Sequence, residues 1–193
     1  MTIAVLAPLR LEARALRAGA PDLQAEVCGV GFRRARRAVA RAVDLGVDVI
    51  VMTGFCGALD PDLAPGDLLV ATHVRARGRS FSSPAASRLL GAVAGARGGV
   101  IASSPHPMVS ARARRRLWAT GAHAVDMESG ALAEGAGDVP WAVLRAVLDA
   151  PGREPWRPLA TLAGFRAASR ALRDAAPALA GFHSAGQTGM MHG

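Results

Sequence analysis

The sequence predicts an α/β fold: one three-layer domain with a central mixed, mostly parallel sheet flanked by helices. Val- and Ile-rich runs alternate with longer helix-like stretches from end to end, the pattern of strands joined by crossover helices. The chain has 193 residues, 51% hydrophobic and 20% charged, which suffices for one well-packed core. No repeat, linker or low-complexity block divides it, so residues 1–183 are expected to form one domain and 184–193 a frayed tail.

Taken in order, residues 2–7 open the chain as a strand and 9–18 follow as a helix. Residues 23–28 and 47–53 form the next strands, separated by a helix over 32–45. Strands are expected at 67–74 and 99–103, with a helix over 83–95 between them. A helix over 110–120 precedes a strand at 122–125, and a helix over 128–137 precedes a strand at 141–147. Residues 150–158, with Pro151, Pro155 and Pro158, are expected to form an irregular loop before a last helix over 159–179.

Several function classes are disfavoured at once. No uninterrupted apolar run reaches the ~18 residues needed to cross a bilayer, and Arg10, Glu12, Arg14 and Arg17 stand where a secretory signal needs an apolar core. A cytoplasmic protein is expected. Cys28 and Cys56 cannot build a disulfide framework, and neither has the spacing of a zinc ligand, so no metal is expected. The net charge of +8 invites a nucleic-acid reading. Yet the cations are all arginine, in a chain rich in Ala, Gly and Pro, which reads as coding bias. Arg33, Arg34, Arg36, Arg37 and Arg41 fall on one helix, and Arg112, Arg114, Arg115 and Arg116 on another, with no aromatics between them for base stacking. They read as solvated helix faces, so no specific nucleic acid is expected, and an anionic partner such as a substrate phosphate or an acidic membrane surface stays open.

Parallel strands place functional groups at their carboxyl ends, where loops and helix N-termini converge. The run from Val49 to Leu59 reads as a buried strand emptying into a small-residue turn at Gly54, Cys56 and Gly57, where backbone N–H groups can approach a ligand. Gly29-Val-Gly31 is a weaker signal, because it lacks the third glycine of a dinucleotide site. Carboxylates at three strand ends are sharper: Glu12, the pair Asp126 and Glu128 around Met127, and Asp149. Any one of them alone could be a helix cap. Asp149 ends a strand with Arg145 embedded in it, and is expected to sit against apolar surface and to donate a proton.

These residues, together with Thr53-Gly-Phe-Cys-Gly-Ala-Leu59, Pro65-Gly-Asp67, Val125-Asp-Met-Glu128 and Leu144-Arg-Ala-Val-Leu-Asp149, resemble the nucleoside phosphorylase and nucleosidase superfamily, which includes methylthioadenosine/S-adenosylhomocysteine nucleosidases. The resemblance covers roughly residues 1–150. The short length and the opening Ala7-Pro-Leu-Arg-Leu-Glu-Ala13 look most like its hopanoid-associated branch. It implies cleavage of the N-glycosidic bond of a 5′-substituted purine nucleoside with release of adenine, the best substrate guess being adenosylhopane. Asp149 then matches the acid facing purine N7, Glu128 the ribose-binding glutamate with Met127 under the sugar, and Glu12 the glutamate that activates water. Cys56, Gly57 and Asp126 join the substrate site, and Met108, in Ser103-Ser-Pro-His-Pro-Met108, contacts the base. The chain departs from the family at Phe55, where a small or hydroxyl residue is usual; this suggests a larger apolar 5′ substituent. Arg10 and Arg33 are the candidates to hold phosphate if phosphate rather than water is the nucleophile. His106 reads as a structural or solvent contact. The resemblance further implies a homodimer, no cofactor and, for a hydrocarbon substrate, loose residence at an anionic membrane surface. A methylthioadenosine nucleosidase, a phosphate-dependent phosphorylase and an inactive nucleoside-binding module remain the alternatives.

Overall fold

A computed structural model describes residues 2–150 and 158–182. Its elements run β1 (Ile3–Ala7), α1 (Arg10–Gly19), β2 (Ala25–Val27), α2 (Phe32–Asp44), β3 (Val49–Ala58), β4 (Leu68–Ala76), β5 (Arg79–Ser82), α3 (Ala86–Ala92), β6 (Arg97–Ser103), α4 (Ala111–Ala119), β7 (Ala124–Asp126), α5 (Ser129–Gly135), β8 (Trp141–Asp149) and α6 (Pro158–Gly181). The sheet order is β2-β1-β3-β7-β6-β4-β5, with β8 bonded to both β3 and β4. The α/β class and the mixed sheet follow the sequence expectation. β1 pairs parallel with β2 and β3, β8 with β3, and β6 with β4 and β7; β3–β7, β4–β5 and β4–β8 are antiparallel. The pairings β3–β8–β4–β6–β7–β3 close a circuit, so these five strands curl into a closed ring.

Strand β3 shows why a continuous apolar run is needed here. Val49, Val51 and Phe55 pack with α1, α3 and α6 on one face, while Ile50, Met52, Cys56 and Ala58 pack with α2 and α5 on the other. A strand covered on both sides has no polar face to display. α1 and α2 in turn offer Ala13, Leu16, Ala35, Ala38 and Val39 to the sheet and keep their arginines outward.

Four expectations need correction. The small-residue turn after residue 53 does not form: β3 continues to Ala58, with a register shift against β8 between Cys56 and Gly57. Its glycines serve close side-chain approach instead, as the site shows below. The sequence reading had no strand at β5, which hairpins onto β4 through Arg77 and Gly78, both at positive φ (50° and 76°). That two-residue turn lacks the Asn or Asp that usually announces one. Pro158 opens α6 rather than ending a loop, a position where its missing N–H has no helical partner to lose. Arg114, read as solvated, is buried. The expected loop at 151–157 and the tail at 184–193 lie outside the described residues. No helix among the described residues is long and apolar enough to cross a membrane.

Candidate active site

A cavity of about 300 Å³ opens at the carboxyl ends of β1, β7 and β8. Glu12, Phe55, Cys56, Gly57, Met108, Asp126, Met127, Glu128 and Asp149 all line it, so residues far apart in the chain meet at one cavity. Arg10 and Arg33 do not: both are exposed and neither borders the cavity. His106 stands at the rim with Pro107 and Val109.

Glu12 sits in the first turn of α1, directly after β1. Its Oε2 accepts from the backbone N–H of Leu9 at 2.6 Å, and its Oε1 accepts from that of Phe55 at 2.7 Å. The side chain thereby joins the start of α1 to the middle of β3. It is only 2% exposed. Burial pushes its pKa up to about 7, against the pull of the Phe55 N–H and Arg145.

This contact needs Gly54. The residue has φ +134°, and a Cβ there would lie 2.8 Å from both Glu12 Oε1 and Arg145 Nη1. Arg145, fully buried on β8, organises the opposite wall. Its Nε and Nη2 donate to Asp126 Oδ2 at 2.8 and 2.6 Å, Nη1 donates to the Thr53 carbonyl at 2.9 Å, and Nη2 lies 3.5 Å from Glu128 Oε2. Desolvation opposes its charge, but Asp126, Glu128 and Glu12 outweigh that and hold its pKa above the ordinary arginine value. Asp126 also accepts from the Ser129 N–H and hydroxyl, so its carboxylate is bound within the protein while its residue borders the cavity.

Glu128 is held from two sides. Besides Arg145, its Oε1 accepts from the Gly31 N–H at 2.8 Å. Gly31 has φ +94° and caps α2, which assigns Gly29-Val-Gly31 a positioning part that its weak spacing did not suggest. Burial raises the Glu128 pKa, with Arg145 opposing.

Asp149, the last residue of β8, lies where expected but not in an apolar setting. Arg114 grips both its oxygens, Nη1 to Oδ1 at 3.0 Å and Nη2 to Oδ2 at 2.8 Å. Arg114 was the site residue that sequence reasoning missed. Its signal was periodicity: it stands three residues before Leu117, the residue of α4 that packs against the core, and so on the inward face of that helix. The remaining wall is apolar, with Leu9, Val30, Val109, Leu148 and Phe165, whose ring meets Phe55 edge-on at 5.7 Å. Among the described residues no group of His, Cys, Asp and Glu is placed to hold a metal ion.

The sequence model of the family described as "Phosphorylase superfamily" matches residues 24–176. No curated protein matches the chain. Among solved structures, it is similar to a 5′-methylthioadenosine/S-adenosylhomocysteine nucleosidase of Colwellia psychrerythraea in complex with adenine (TM-score 0.77, 19% identity, 93% of this chain and 96% of that one). It is similar as well to the corresponding nucleosidase of Neisseria meningitidis in complex with methylthio-immucillin-A (0.78, 20%, 92% and 98%). A mutant futalosine hydrolase of Helicobacter pylori matches in the same way (0.77, 18%, 95% and 98%).

Proposed function

Since the chain belongs to the phosphorylase superfamily, we propose that it hydrolyses the N-glycosidic bond of a 5′-substituted adenine nucleoside. The observation that carries this reading is the convergence of Glu12, Glu128 and Asp149 on one cavity from three strand ends. Bond cleavage sends its electron pair into the purine and leaves positive charge on the ribose, so an acid at the base, an anion at the sugar and a held nucleophile are required. Asp149 gives a proton to N7 as the C1′–N9 bond breaks. Glu128 accepts the ribose hydroxyls. Glu12 takes a proton from a water whose oxygen bonds to C1′. The two transfers balance: one proton leaves Asp149, one arrives on Glu12, and exchange with solvent restores both.

Water is the nucleophile in this reading, because Glu12 faces the cavity while Arg10 and Arg33, the candidates for phosphate, lie outside it. The apolar wall of Leu9, Phe55, Val109, Leu148 and Phe165 supports a hydrocarbon-like 5′ group, with adenosylhopane as the specific substrate. The same proposal includes a homodimer, and loose residence at an anionic membrane surface where such a substrate partitions.

The test is to incubate the protein with methylthioadenosine and with adenosylhopane, with and without phosphate. Free adenine and a sugar without phosphate are expected in both buffers, with the hopane substrate faster. A 1-phosphorylated sugar would instead identify a phosphorylase. Faster cleavage of methylthioadenosine would point to the ordinary methylthioadenosine nucleosidase, and no adenine at all to a nucleoside-binding module.

A further inference from the structure

Arg114 has no part in the reaction just described, yet its surroundings are unlike those of its neighbours on α4. Arg112, Arg115 and Arg116 are exposed, whereas Arg114 is 6% exposed and borders the cavity. Its Nε donates to the Met108 carbonyl at 2.7 Å and its Nη1 reaches the Ala58 carbonyl at 3.5 Å. These contacts aim the guanidinium at Asp149, and each nitrogen of the fork takes one carboxylate oxygen. The pair rests on bare backbone: a Cβ on Gly57 would fall 2.8 Å from Asp149 Oδ1 and 3.0 Å from Arg114 Nη2.

Purine N7 is an acceptor, so the Asp149 oxygen that meets it must carry a proton and turn it to the ring, an arrangement that competes with the guanidinium N–H now aimed at each oxygen. We propose that Arg114 is a positioning residue, a latch that holds Asp149 at the base end of the cavity and releases at least one carboxylate oxygen when a purine ring enters. The latch rests on the purine reading of this site and adds a specific exchange of partners to it. Closing the fork competes with the ring, so the purine meets a site that is only fractionally open and binds more weakly than it would to an open one. The Nε tie to the Met108 carbonyl keeps the guanidinium anchored on the loop while the Asp149 carboxyl turns away from one arm of the fork.

Two measurements test it. In the wild-type protein co-crystallised with adenine, at least one of the two Arg114–Asp149 contacts is expected to open beyond hydrogen-bond distance, with the freed oxygen facing the ring. In Arg114→Met, whose unbranched stem keeps much of the bulk, calorimetric titration is expected to show adenine bound about tenfold tighter or more, an outcome that a merely structural arginine would not produce. A fork still closed on both oxygens with adenine bound would overturn the latch alone. So would a folded Arg114→Met that binds adenine no more tightly than wild type. If that variant does not fold, the wild-type complex decides. Absence of adenine binding to the wild-type protein would overturn the purine reading and the latch with it, a result distinct from adenine bound beside an intact pair.

Discussion

Glu12 is a carboxyl group buried for use, and its pKa near 7 links stability to activity with opposite signs. Below about pH 4.5 the group is protonated in both folded and unfolded chains. As pH rises from there to about 7, the unfolded chain gives up the proton while the fold retains it, so the stability contributed by Glu12 falls, by about 3 kcal/mol in all. Gln cannot titrate. The stability difference between wild type and Glu12→Gln, followed by denaturant unfolding across this window, is therefore expected to move against the wild type as pH rises. Activity runs the other way. Only ionised Glu12 can accept a proton from water, so kcat/KM is expected to rise with pH through a midpoint near 7, and Glu12→Gln to be inactive at every pH while still binding adenine. Glu128 tests a different bond. Glu128→Gln is expected to narrow the preference for ribosides over 2′-deoxyribosides, read from kcat/KM on both, because an amide matches two hydroxyl donors less well than a carboxylate. Equal loss on the two substrates would mark Glu128 as a structural tie between Arg145 and Gly31 alone.

At the scale of elements, β3 and its glycines matter most. Read along the chain, Gly54 and Gly57 look like punctuation, yet both sit in a strand that is covered on two faces. The space where each Cβ would stand is taken by charged atoms: Glu12 and Arg145 at Gly54, Asp149 and Arg114 at Gly57. Gly54→Ala is expected to destabilise the fold, since the positive φ alone costs roughly 1–3 kcal/mol and the ion network cannot give way cheaply. Thermal melting and adenine release check it; a variant with wild-type melting and turnover would show that the Glu12–Arg145 junction is looser than its distances indicate. α4 carries the complementary lesson. Four arginines in five residues read as a solvated run, but a nine-residue helix lying on the strand ends turns one of its faces inward, and Arg114 occupies that face.

For the whole molecule, the relevant quantity is the net charge of +8, with most of the arginines among the described residues exposed. If the substrate is drawn from a bilayer, the protein is expected to co-sediment with anionic vesicles at low salt and to be released as salt screens the attraction. No sedimentation at low salt would remove the membrane from the proposal. The homodimer is checked by scattering: about twice the 19.8 kDa chain mass is expected, and a monomer that still turns over would refute it.

The order of strands and helices apart from β5, the α/β class and the carboxylates at strand ends were legible in the chain, because hydrophobic periodicity and strand-end position are local properties. So was the embedding of Arg145 in β8, since a lone cation inside an apolar run has few places to go but a buried partner. Three things were not local. The continuation of β3 depends on what approaches its glycines from α1, α4 and β8. The use of Gly31 depends on Glu128, 97 residues away. The environment of Asp149 depends on Arg114, 35 residues away. Periodicity tells which face of an element turns inward, but which partner waits there is set by how the elements pack. That is why the acids and Arg145 could be found in the sequence while Arg114 and the backbone donors emerged only from the fold.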